Sequence, residues 1–334
     1  MSTQCKAPIL VTGGAGYIGS HVALQLREAG ERVIVLDNLS TGFREAVLDA
    51  ELVVGEAGDF ALVHGLLEAH GIDTVLHFAA RTIVPESVAD PLRYYGNNTC
   101  ATRNLLAACA RAGVQHFVFS STAAVYGVPE GGRCREDSPN APINPYGTSK
   151  LMSEWMLRDL AAASELRYVA LRYFNVAGCD RKGRIGQSTE KATLLVKVAA
   201  EAALGRRPRL AIFGTDYPTP DGTGVRDYIH VEDLARAHLD ALRHLREGGT
   251  SQTLNVGYGH GYSVREVIDT MTRVHGAPIP TVEEPRRAGD PPVLIAECER
   301  VKQVLGWTPE LDDLEMICRT SLDWERRLTA SRGH

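Results

Sequence analysis

The sequence predicts an α/β fold in which helices cover both faces of a doubly wound parallel sheet, with a smaller C-terminal α/β lobe. Apolar, strand-like runs alternate with helix-like runs through the first half of the chain, an order typical of parallel sheets. A glycine-rich segment, VTGGAGYIGS at residues 11–20, separates the first strand from the first helix. The alternation stops after about Gly178, where glycine, proline and charge become more frequent.

Each element is predicted from its apolar pattern and its flanking residues. Strands are predicted at 8–13, 32–37, 51–55, 73–80, 115–121 and 167–178, and helices at 17–30, 60–70 and 99–112. Further helices are predicted at 190–204, 231–247 and 263–275, and a strand at 252–257 that could rejoin the main sheet. The expected domains are therefore 1–178 and 179–334, with segments at about 226–257 returning to the first domain.

Composition excludes several classes of protein. The chain has 334 residues and a net charge of −5, which argues against a nucleic-acid-binding surface. No segment approaches the ~18 apolar residues of a membrane helix, and MSTQCKAPIL lacks the pattern of a signal peptide. A cytoplasmic protein that binds neither membrane nor nucleic acid is expected.

The cysteines predict reduced thiols and no metal site. They are odd in number and scattered, and no two form a CxxC pair. They are Cys5, Cys100, Cys109, Cys134, Cys179, Cys298 and Cys318.

The glycine-rich segment predicts a dinucleotide-binding loop of the Rossmann type. Gly13 permits a tight turn, Gly16 leaves room for a pyrophosphate, and Gly19 lets the helix pack closely on the strand. The helix N-terminus then offers free N–H groups to the phosphates. Asp37 ends the next strand, where a carboxylate accepts hydrogen bonds from ribose hydroxyls and repels a 2′-phosphate, so NAD is favoured over NADP.

A second motif, NPYGTSK at residues 144–150, predicts a catalytic tyrosine. Tyr146 and Lys150 are four residues apart and should share one face of a helix that begins at Asn144 and Pro145. A nearby ammonium group, together with the positive charge of NAD⁺, would favour the phenolate and make the tyrosine a general base. Thr122, in SSTAAVYG, would add a hydroxyl that shares a hydrogen bond with the substrate oxygen.

Taken together, these motifs resemble the extended short-chain dehydrogenase/reductase superfamily, and within it the UDP-glucose 4-epimerase family. The segments that carry the closer resemblance are GGAGYIGSHV, LDNLS, PYGTSKLMSE, LRYFNVAG, IFGTDYPTPDGTGVRDYIHVEDLA and RRAGD. The match runs from about Ile9 to about Asp323 without large gaps.

The resemblance implies a mechanism for a UDP-hexose substrate. Tyr146 would take the proton of the sugar 4-hydroxyl while hydride passes from C4 to a tightly bound NAD. Lys150 would hold the nicotinamide ribose and lower the tyrosine pKa. The 4-keto sugar would rotate in the site and receive the hydride on its other face.

The resemblance also implies the binding residues. The NAD contacts would be Gly13, Gly16, Tyr17, Ile18, Gly19, Asp37, Asn38, Glu56, Ala57, Phe78, Ala79, Asn97, Tyr146, Lys150 and Phe174. The nucleotide-sugar contacts would be Thr122, Asn175, Leu194, Leu195, Ala211, Phe213, Arg226, Arg287, Asp290 and Leu294. The guanidinium groups suit a diphosphate, which they can grip by two hydrogen bonds each.

Three positions depart from better-known members of that family. Glu56 stands where an Asp usually contacts the adenine, and Asp59 is a nearby alternative. Thr82 replaces a lysine that some members have, and Leu194 replaces a polar residue near the diphosphate.

Other activities remain to be weighed against the epimerase. A 4,6-dehydratase needs an Asp-Glu pair after Thr122, whereas this chain has Ala123 and Ala124. A UDP-pentose 4-epimerase would use the same residues and is the main alternative. A non-enzymatic NAD sensor is a distant one, because both Tyr146 and Lys150 are retained.

The resemblance implies two further properties. A homodimer is expected through helices at about 92–112 and 146–163, with apolar candidates Leu105, Leu106, Cys109, Leu151, Trp155 and Leu160, some of which must instead cover the sheet. Leu294 would face the C2 substituent of the sugar and disfavour N-acetyl sugars.

Overall fold

The structure, a computed structural model, describes residues 7–190, 192–287 and 289–331. The chain forms two compact units. The first unit comprises residues up to 125, together with 142–172 and 235–254, and the second comprises 126–141, 173–234 and 255 onward. The division predicted at Gly178, with NAD bound by residues 1–178 and the nucleotide sugar by residues 179–334, stays a prediction.

The first unit is built on a seven-stranded sheet. Its strands are β1 (Ile9–Thr12), β2 (Val33–Asp37), β3 (Glu51–Val54), β4 (Thr74–His77), β5 (His116–Ser120), β7 (Arg167–Tyr173) and β12 (Gln252–Val256). They lie in the order β12-β7-β5-β4-β1-β2-β3. The pairs from β7 to β3 are parallel. The strand order reverses between β1 and β4, and such a switch point is where open α/β sheets bind ligands.

Helices α1 to α6 belong to this unit. They are α1 (Tyr17–Glu28), α2 (Phe60–His70), α3 (Val84–Ala89), α4 (Pro91–Tyr94), α5 (Ala101–Ala112) and α6 (Pro145–Ala163), and a π-helix (Tyr95–Cys100) precedes α5. A further helix, α8 (Val231–Arg246), begins in the second unit and ends in the first.

Both faces of the sheet are covered. Leu10 and Ile34 point into a core that also contains Val63 of α2, Leu105 of α5 and Leu157 of α6. Successive strand residues point to opposite faces. The neighbours of Leu10 and Ile34 along β1 and β2 are also fully buried, so the second face is covered as well. The predicted fold class is confirmed.

The second unit contains small sheets and a group of helices. Strands β6 (Arg133–Cys134), β10 (Val225–Arg226), β13 (Tyr262–Ser263) and β15 (Val293–Ala296) form one sheet in the order β13-β10-β15-β6. Strand β8 (Asn175–Ala177) pairs with β11 (Tyr228–His230), and β9 (Leu210–Phe213) pairs with β14 (Thr281–Glu284). The remaining helices are α7 (Leu195–Ala203), α9 (Val264–His275), α10 (Glu299–Leu305) and α11 (Leu314–Ser331).

Three predicted elements need correction. The strand predicted at 167–178 is broken at Phe174, because the chain leaves the main sheet there and β8 pairs with β11 instead. The helix predicted at 99–112 is preceded by a π-helical turn that the apolar pattern does not reveal. The helix predicted at 190–204 begins only at Leu195, which follows an extended N-cap residue.

The remaining general expectations concern membranes and thiols. Among the described residues, no helix is both long and apolar enough to cross a bilayer. The six cysteines in the described ranges are all free, five of them buried. Cys5 lies outside the described residues.

Candidate active site

The glycine loop lies between β1 and α1 at the switch point of the sheet. Gly13 has φ +72°, and a Cβ there would lie 2.4 Å from the backbone nitrogen of Ala79, just past β4. A side chain at Gly19 would strike the Gly13 carbonyl at 2.3 Å, whereas one at Gly16 would meet only that carbonyl, at 3.2 Å. Gly13 and Gly19 are therefore needed for close packing, and the space beside Gly16 is open.

This loop fits the phosphates of a dinucleotide. Helix α1 begins after Gly16, which offers no side-chain cap, and its first turn holds no acidic residue. The N–H groups of that turn and the positive end of the helix dipole suit a phosphate. The residues present therefore match the cofactor that the sequence predicts.

Asp37 lies beside the loop at the carboxyl end of β2. Its Oδ2 accepts a hydrogen bond from the backbone of Ala15 at 3.0 Å, and its Oδ1 accepts one from Leu39 at 2.8 Å. These bonds fix the carboxylate next to the loop. Burial raises its pKa, and the two backbone hydrogen bonds oppose that rise.

The structure distinguishes Glu56 from Asp59. Asn38 Nδ2 donates to both carboxylate oxygens of Glu56 at 3.1 Å, which places Glu56 beside the residue that follows Asp37. Asp59 instead caps α2 by accepting from the backbone of Leu62 at 3.1 Å. Asp59 is thus engaged in capping α2, and the contact of Glu56 with the adenine stays a prediction.

The other predicted cofactor residues lie on several elements. Tyr17 and Ile18 open α1, Ala57 precedes α2, Phe78 and Ala79 follow β4, Asn97 lies in the π-helix, and Phe174 lies between β7 and β8. The backbone nitrogens of Phe78 and Ala79 both donate to the Thr12 carbonyl, which holds them against the end of β1. Asn97 Oδ1 accepts from the backbone of Arg81 at 3.1 Å.

Helix α6 presents the predicted catalytic tyrosine. As predicted, Asn144 is the N-cap and accepts from the backbone of Gly147 at 2.9 Å, and Pro145 is the first helical residue. A Cβ at Gly147 would lie 2.5 Å from the Ala124 carbonyl, so the helix start packs directly on the turn after β5. This close approach places Tyr146 near Thr122, whose hydroxyl group lowers the pKa of the phenol.

Lys150 lies one turn further along α6 and is only 3% exposed. Its Nζ donates to the Ser120 carbonyl at the end of β5 at 2.9 Å and lies 4.9 Å from the centre of the Phe119 ring. Burial lowers its pKa to about 7, although the charge of Glu154 acts in the opposite direction. Near neutral pH this lysine can therefore change its charge.

The expected lowering of the tyrosine pKa by Lys150 is not what this structure shows. Burial raises the pKa of Tyr146, and only the hydrogen bond with Thr122 lowers it. The lysine ammonium is directed at the Ser120 carbonyl, which accounts for its small effect on the phenol.

In the second unit, five predicted nucleotide-sugar residues come together. Arg226 Nη2 lies 2.5 Å from Asp290 Oδ1, and the backbone of Arg226 pairs with that of Leu294 between β10 and β15. The guanidinium of Arg287 stacks 3.8 Å over the Phe213 ring. Burial and the neighbouring Arg226 lower the pKa of Arg287, whereas Asp290 raises it.

The remaining substrate candidates flank this group or lie apart from it. Ala211 lies two residues before Phe213 on β9 and therefore on the same side of the strand. Asn175 on β8 pairs with Tyr228 on β11, two residues after Arg226. Leu194 is the N-cap of α7 without a side-chain bond, as its apolar side chain requires, and Leu195 begins the helix.

Comparison with known families decides the assignment. The NAD dependent epimerase/dehydratase family matches residues 9–257, about three quarters of the chain. The chain belongs to this family. Its described residues contain no cluster of metal-binding side chains.

Individual relatives in this family are close. The chain is 56% identical to a UDP-glucose 4-epimerase of Azospirillum brasilense over 99% of its own length and 95% of the relative. The structure of a Brucella ovis UDP-glucose 4-epimerase in complex with NAD matches with a TM-score of 0.93 and 45% identity, covering 95% of this chain and 98% of that one. A Stenotrophomonas maltophila enzyme of the same name was solved with NAD and formylated UDP-arabinopyranose. It matches with a TM-score of 0.94 and 39% identity, covering 98% of this chain and 100% of that one. The resemblance inferred from sequence is confirmed.

One feature of this epimerase/dehydratase chain escaped the sequence reasoning. His77, at the end of β4, lies with Nδ1 2.6 Å from Thr12 Oγ1 and Nε2 2.9 Å from Thr102 Oγ1. Burial lowers the pKa of His77 to about 3, so it is neutral at physiological pH and can join two hydroxyl groups. A histidine that ends a buried strand, with a threonine at the end of the neighbouring strand β1, is the signal that could have revealed it.

A second overlooked residue is Asn98 in the π-helix. Its Nδ2 donates to the Arg81 carbonyl and to Ser149 Oγ, both at 3.0 Å. It thereby links the segment after β4 to α6, next to Lys150. Short π-helical turns often occur at functional sites, and apolar periodicity does not predict them.

Proposed function

We propose that this chain is a UDP-glucose 4-epimerase that interconverts UDP-galactose and UDP-glucose through a 4-keto sugar. The observation that carries the proposal is the placement of Tyr146 near Thr122, whose hydroxyl group lowers the pKa of the phenol, with Lys150 buried one helical turn further at the carboxyl edge of the sheet. The named relatives and the family support the same activity.

The residues of the first unit would carry out the proton transfer. Tyr146 takes the proton from the sugar 4-hydroxyl and returns it after the keto sugar has turned. Thr122 would orient that hydroxyl, because its own hydroxyl group is close enough to the phenol to lower the pKa of Tyr146. A bound NAD would supply the acceptor and donor of the hydride at C4. The glycine loop, Asp37 and Glu56 would hold the cofactor in place throughout.

The second unit would bind the nucleotide. Arg226 and Arg287 are paired with an acid and an aromatic ring respectively, and both guanidinium groups can exchange these partners for a diphosphate. The backbone N–H groups at the start of α7 would replace the side chain that Leu194 cannot supply. We propose that the other substrate residues predicted from sequence also contact the nucleotide sugar.

The sugar class is the finer part of the proposal. The Stenotrophomonas enzyme, solved with a UDP-pentose derivative, keeps the UDP-pentose 4-epimerase as a second candidate. Purified protein is incubated separately with UDP-galactose, UDP-xylose and UDP-N-acetylgalactosamine, with no cofactor added. Faster turnover of UDP-galactose supports the hexose assignment, and faster turnover of UDP-xylose replaces it with the pentose one.

We also propose a homodimer in the cytoplasm, with an interface that keeps the predicted Trp155 and replaces the predicted candidates that are buried. Leu105, Leu106, Cys109 and Leu151 are buried in the core and so cannot face a partner. The exposed apolar side chains on the contacting helices α3, α4 and α6 are instead Val84, Val88, Leu92 and Trp155. Leu92 is 79% exposed and Trp155 45%, and a patch of this kind suits a protein–protein contact.

A further inference from the structure

A buried carboxylate lies on the catalytic face of α6 and has no part in the proposed proton transfer. Glu154 is 5% exposed and follows Lys150 by four residues, as Lys150 follows Tyr146. This spacing places all three side chains along one stripe of the helix. Carboxylates are almost never this buried unless they are paired.

Glu154 is paired with an arginine from the main sheet. Arg172, near the end of β7, is 4% exposed, and its Nε donates to Glu154 Oε1 at 2.9 Å. Its Nη2 donates to the other carboxylate oxygen at 2.6 Å, so the pair is bidentate. Such a fork fixes the distance and the direction between α6 and β7.

The same carboxylate also reaches the segment that carries Thr122. Ser121 Oγ donates to Glu154 Oε1 at 2.5 Å, and the backbone of Ser121 donates to Leu171 at 2.9 Å. The backbone carbonyl of Ser120, one residue earlier, accepts a hydrogen bond from the Lys150 ammonium group. Glu154 is thus hydrogen-bonded to Ser121. This residue lies between Ser120, which accepts from Lys150, and Thr122, which lies near Tyr146.

The charges around Lys150 give Glu154 an electrostatic effect as well. The titratable groups near Lys150 are Glu154 on α6 and His77 on β4, and from β5 Lys150 meets the Phe119 ring and the Ser120 carbonyl. His77 is neutral, since burial lowers its pKa to about 3. Glu154 is therefore the group whose charge favours the protonated form of the buried lysine.

We propose that Glu154 is a positioning residue, which through Ser121 and Arg172 sets the geometry of the Tyr146–Thr122 pair and keeps the Lys150 ammonium charged. Replacement of a buried ion pair by apolar residues often preserves stability, so stability alone does not explain the pair. The catalytic part of this inference rests on the proposed epimerase activity. The electrostatic part concerns Lys150 itself and can be measured without turnover.

The test uses Glu154→Gln in the holoenzyme, with Asp159→Asn as the matched control. Asp159 lies on the same helix and is exposed, so its variant removes an equal charge without touching the site. Turnover of UDP-galactose should fall at least about tenfold in Glu154→Gln, as for small misplacements of reacting groups, with KM little changed. The alkaline limb of kcat should move to lower pH, because Lys150 loses its proton more easily. The control should match the wild type in both respects.

A second readout does not depend on activity. The chain has only six lysines, so the ¹³Cε signals of labelled lysine can be followed in a pH titration, with Lys150→Met identifying the relevant signal. The midpoint of the Lys150 signal should fall by about one pH unit in Glu154→Gln, the size expected for loss of a neighbouring opposite charge. An unchanged midpoint overturns the electrostatic role.

The outcomes separate the two proposals. If the wild type does not convert UDP-galactose but the Lys150 midpoint falls in Glu154→Gln, the epimerase assignment is contradicted and the effect of Glu154 on Lys150 is established. Folded Glu154→Gln protein with wild-type kcat and wild-type titration overturns the positioning role. If that variant does not fold, Ser121→Ala decides, since it removes the bond to Glu154 but keeps the ion pair. Lower kcat with unchanged KM in Ser121→Ala supports the proposal, and wild-type kcat overturns it.

Discussion

At the scale of single residues, the chemistry depends on how α6 meets the turn after β5. The phenol of Tyr146 lies near Thr122, and Gly147 lets the helix start lie against the Ala124 carbonyl, two residues after Thr122. The pKa of Tyr146 is raised by burial in this structure, so the phenol holds its proton at neutral pH. General-base action by Tyr146 therefore needs further positive charge nearby, and the nicotinamide of a bound NAD⁺ supplies one.

Substitution of Tyr146 tests that role. Tyr146→Phe removes only the hydroxyl, so kcat for UDP-galactose should fall by at least about 10²-fold, the usual effect of losing a general base. Binding of the UDP-sugar, measured by calorimetry, should change little because the nucleotide contacts lie elsewhere. Tyr168→Phe is the control, since Tyr168 lies near the amino end of β7, at the opposite edge of the sheet. Near-wild-type turnover by Tyr146→Phe would refute the mechanism.

Leu294 is expected to set the preference for UDP-galactose over N-acetyl sugars. It pairs with Arg226 across two strands and is partly exposed, and its apolar side chain offers an acetamido group no hydrogen bond. Burying that amide costs about 1–3 kcal/mol. UDP-galactose should therefore be preferred over UDP-N-acetylgalactosamine by at least roughly tenfold in kcat/KM, which about 1.4 kcal/mol produces.

The substitution Leu294→Ser should narrow this preference. Val293→Ser provides the control, because alternation along β15 points residue 293 to the opposite face, where it packs against Gly132. The control should lower the melting temperature and leave the substrate ratio as it was. A Leu294→Ser protein that is destabilised and keeps the wild-type ratio would show that Leu294 only packs in the core.

At the scale of elements, the glycine loop is the segment whose conformation the sequence determines most strictly. Gly13→Ala puts a Cβ against Ala79 at a positive φ and should destabilise the protein by more than about 1 kcal/mol, with loss of bound dinucleotide. Gly65→Ala in α2 meets open space and should be neutral or stabilise the helix by up to about 1 kcal/mol. Thermal melts and acid release of the cofactor measure both effects. A Gly13→Ala protein with wild-type stability and NAD content contradicts the assignment of the loop.

The elements also show how far sequence patterns reach. Strands β1, β2, β4 and β5 are continuous apolar runs, and α2 has the bounds that its pattern predicts, Phe60–His70, between the Asp59 cap and Gly71 at φ +61°. The break at Phe174 was missed because LRYFNVAG has apolar residues both before and after Phe174. Only the pairing differs, since β7 pairs with β5 and β8 pairs with β11. Glu154 was missed for a related reason, since a carboxylate on a helix is normally a solvated residue until its partner, Arg172 on a distant strand, is known.

At the scale of the whole molecule, the exposed patch of α3, α4 and α6 predicts self-association. Leu92→Asp combined with Trp155→Asp places two charges in the patch and should convert a dimer into a monomer at micromolar concentration, measured by light scattering. Val54→Asp is the control, because Val54 is exposed on the edge strand β3, away from these helices. A wild-type protein that is monomeric under the same conditions removes the dimer proposal.

The central claim is that the protein retains NAD and epimerises UDP-galactose without added cofactor. The direct measurement is incubation of dialysed protein with UDP-galactose and no added cofactor, followed by separation of the UDP-hexoses and by acid release of the dinucleotide. The account predicts conversion to an equilibrium mixture with UDP-glucose, and near-stoichiometric NAD(H) without a 2′-phosphate. Folded protein that carries this dinucleotide but forms no UDP-glucose, or that becomes active only when free NAD is supplied, would contradict it.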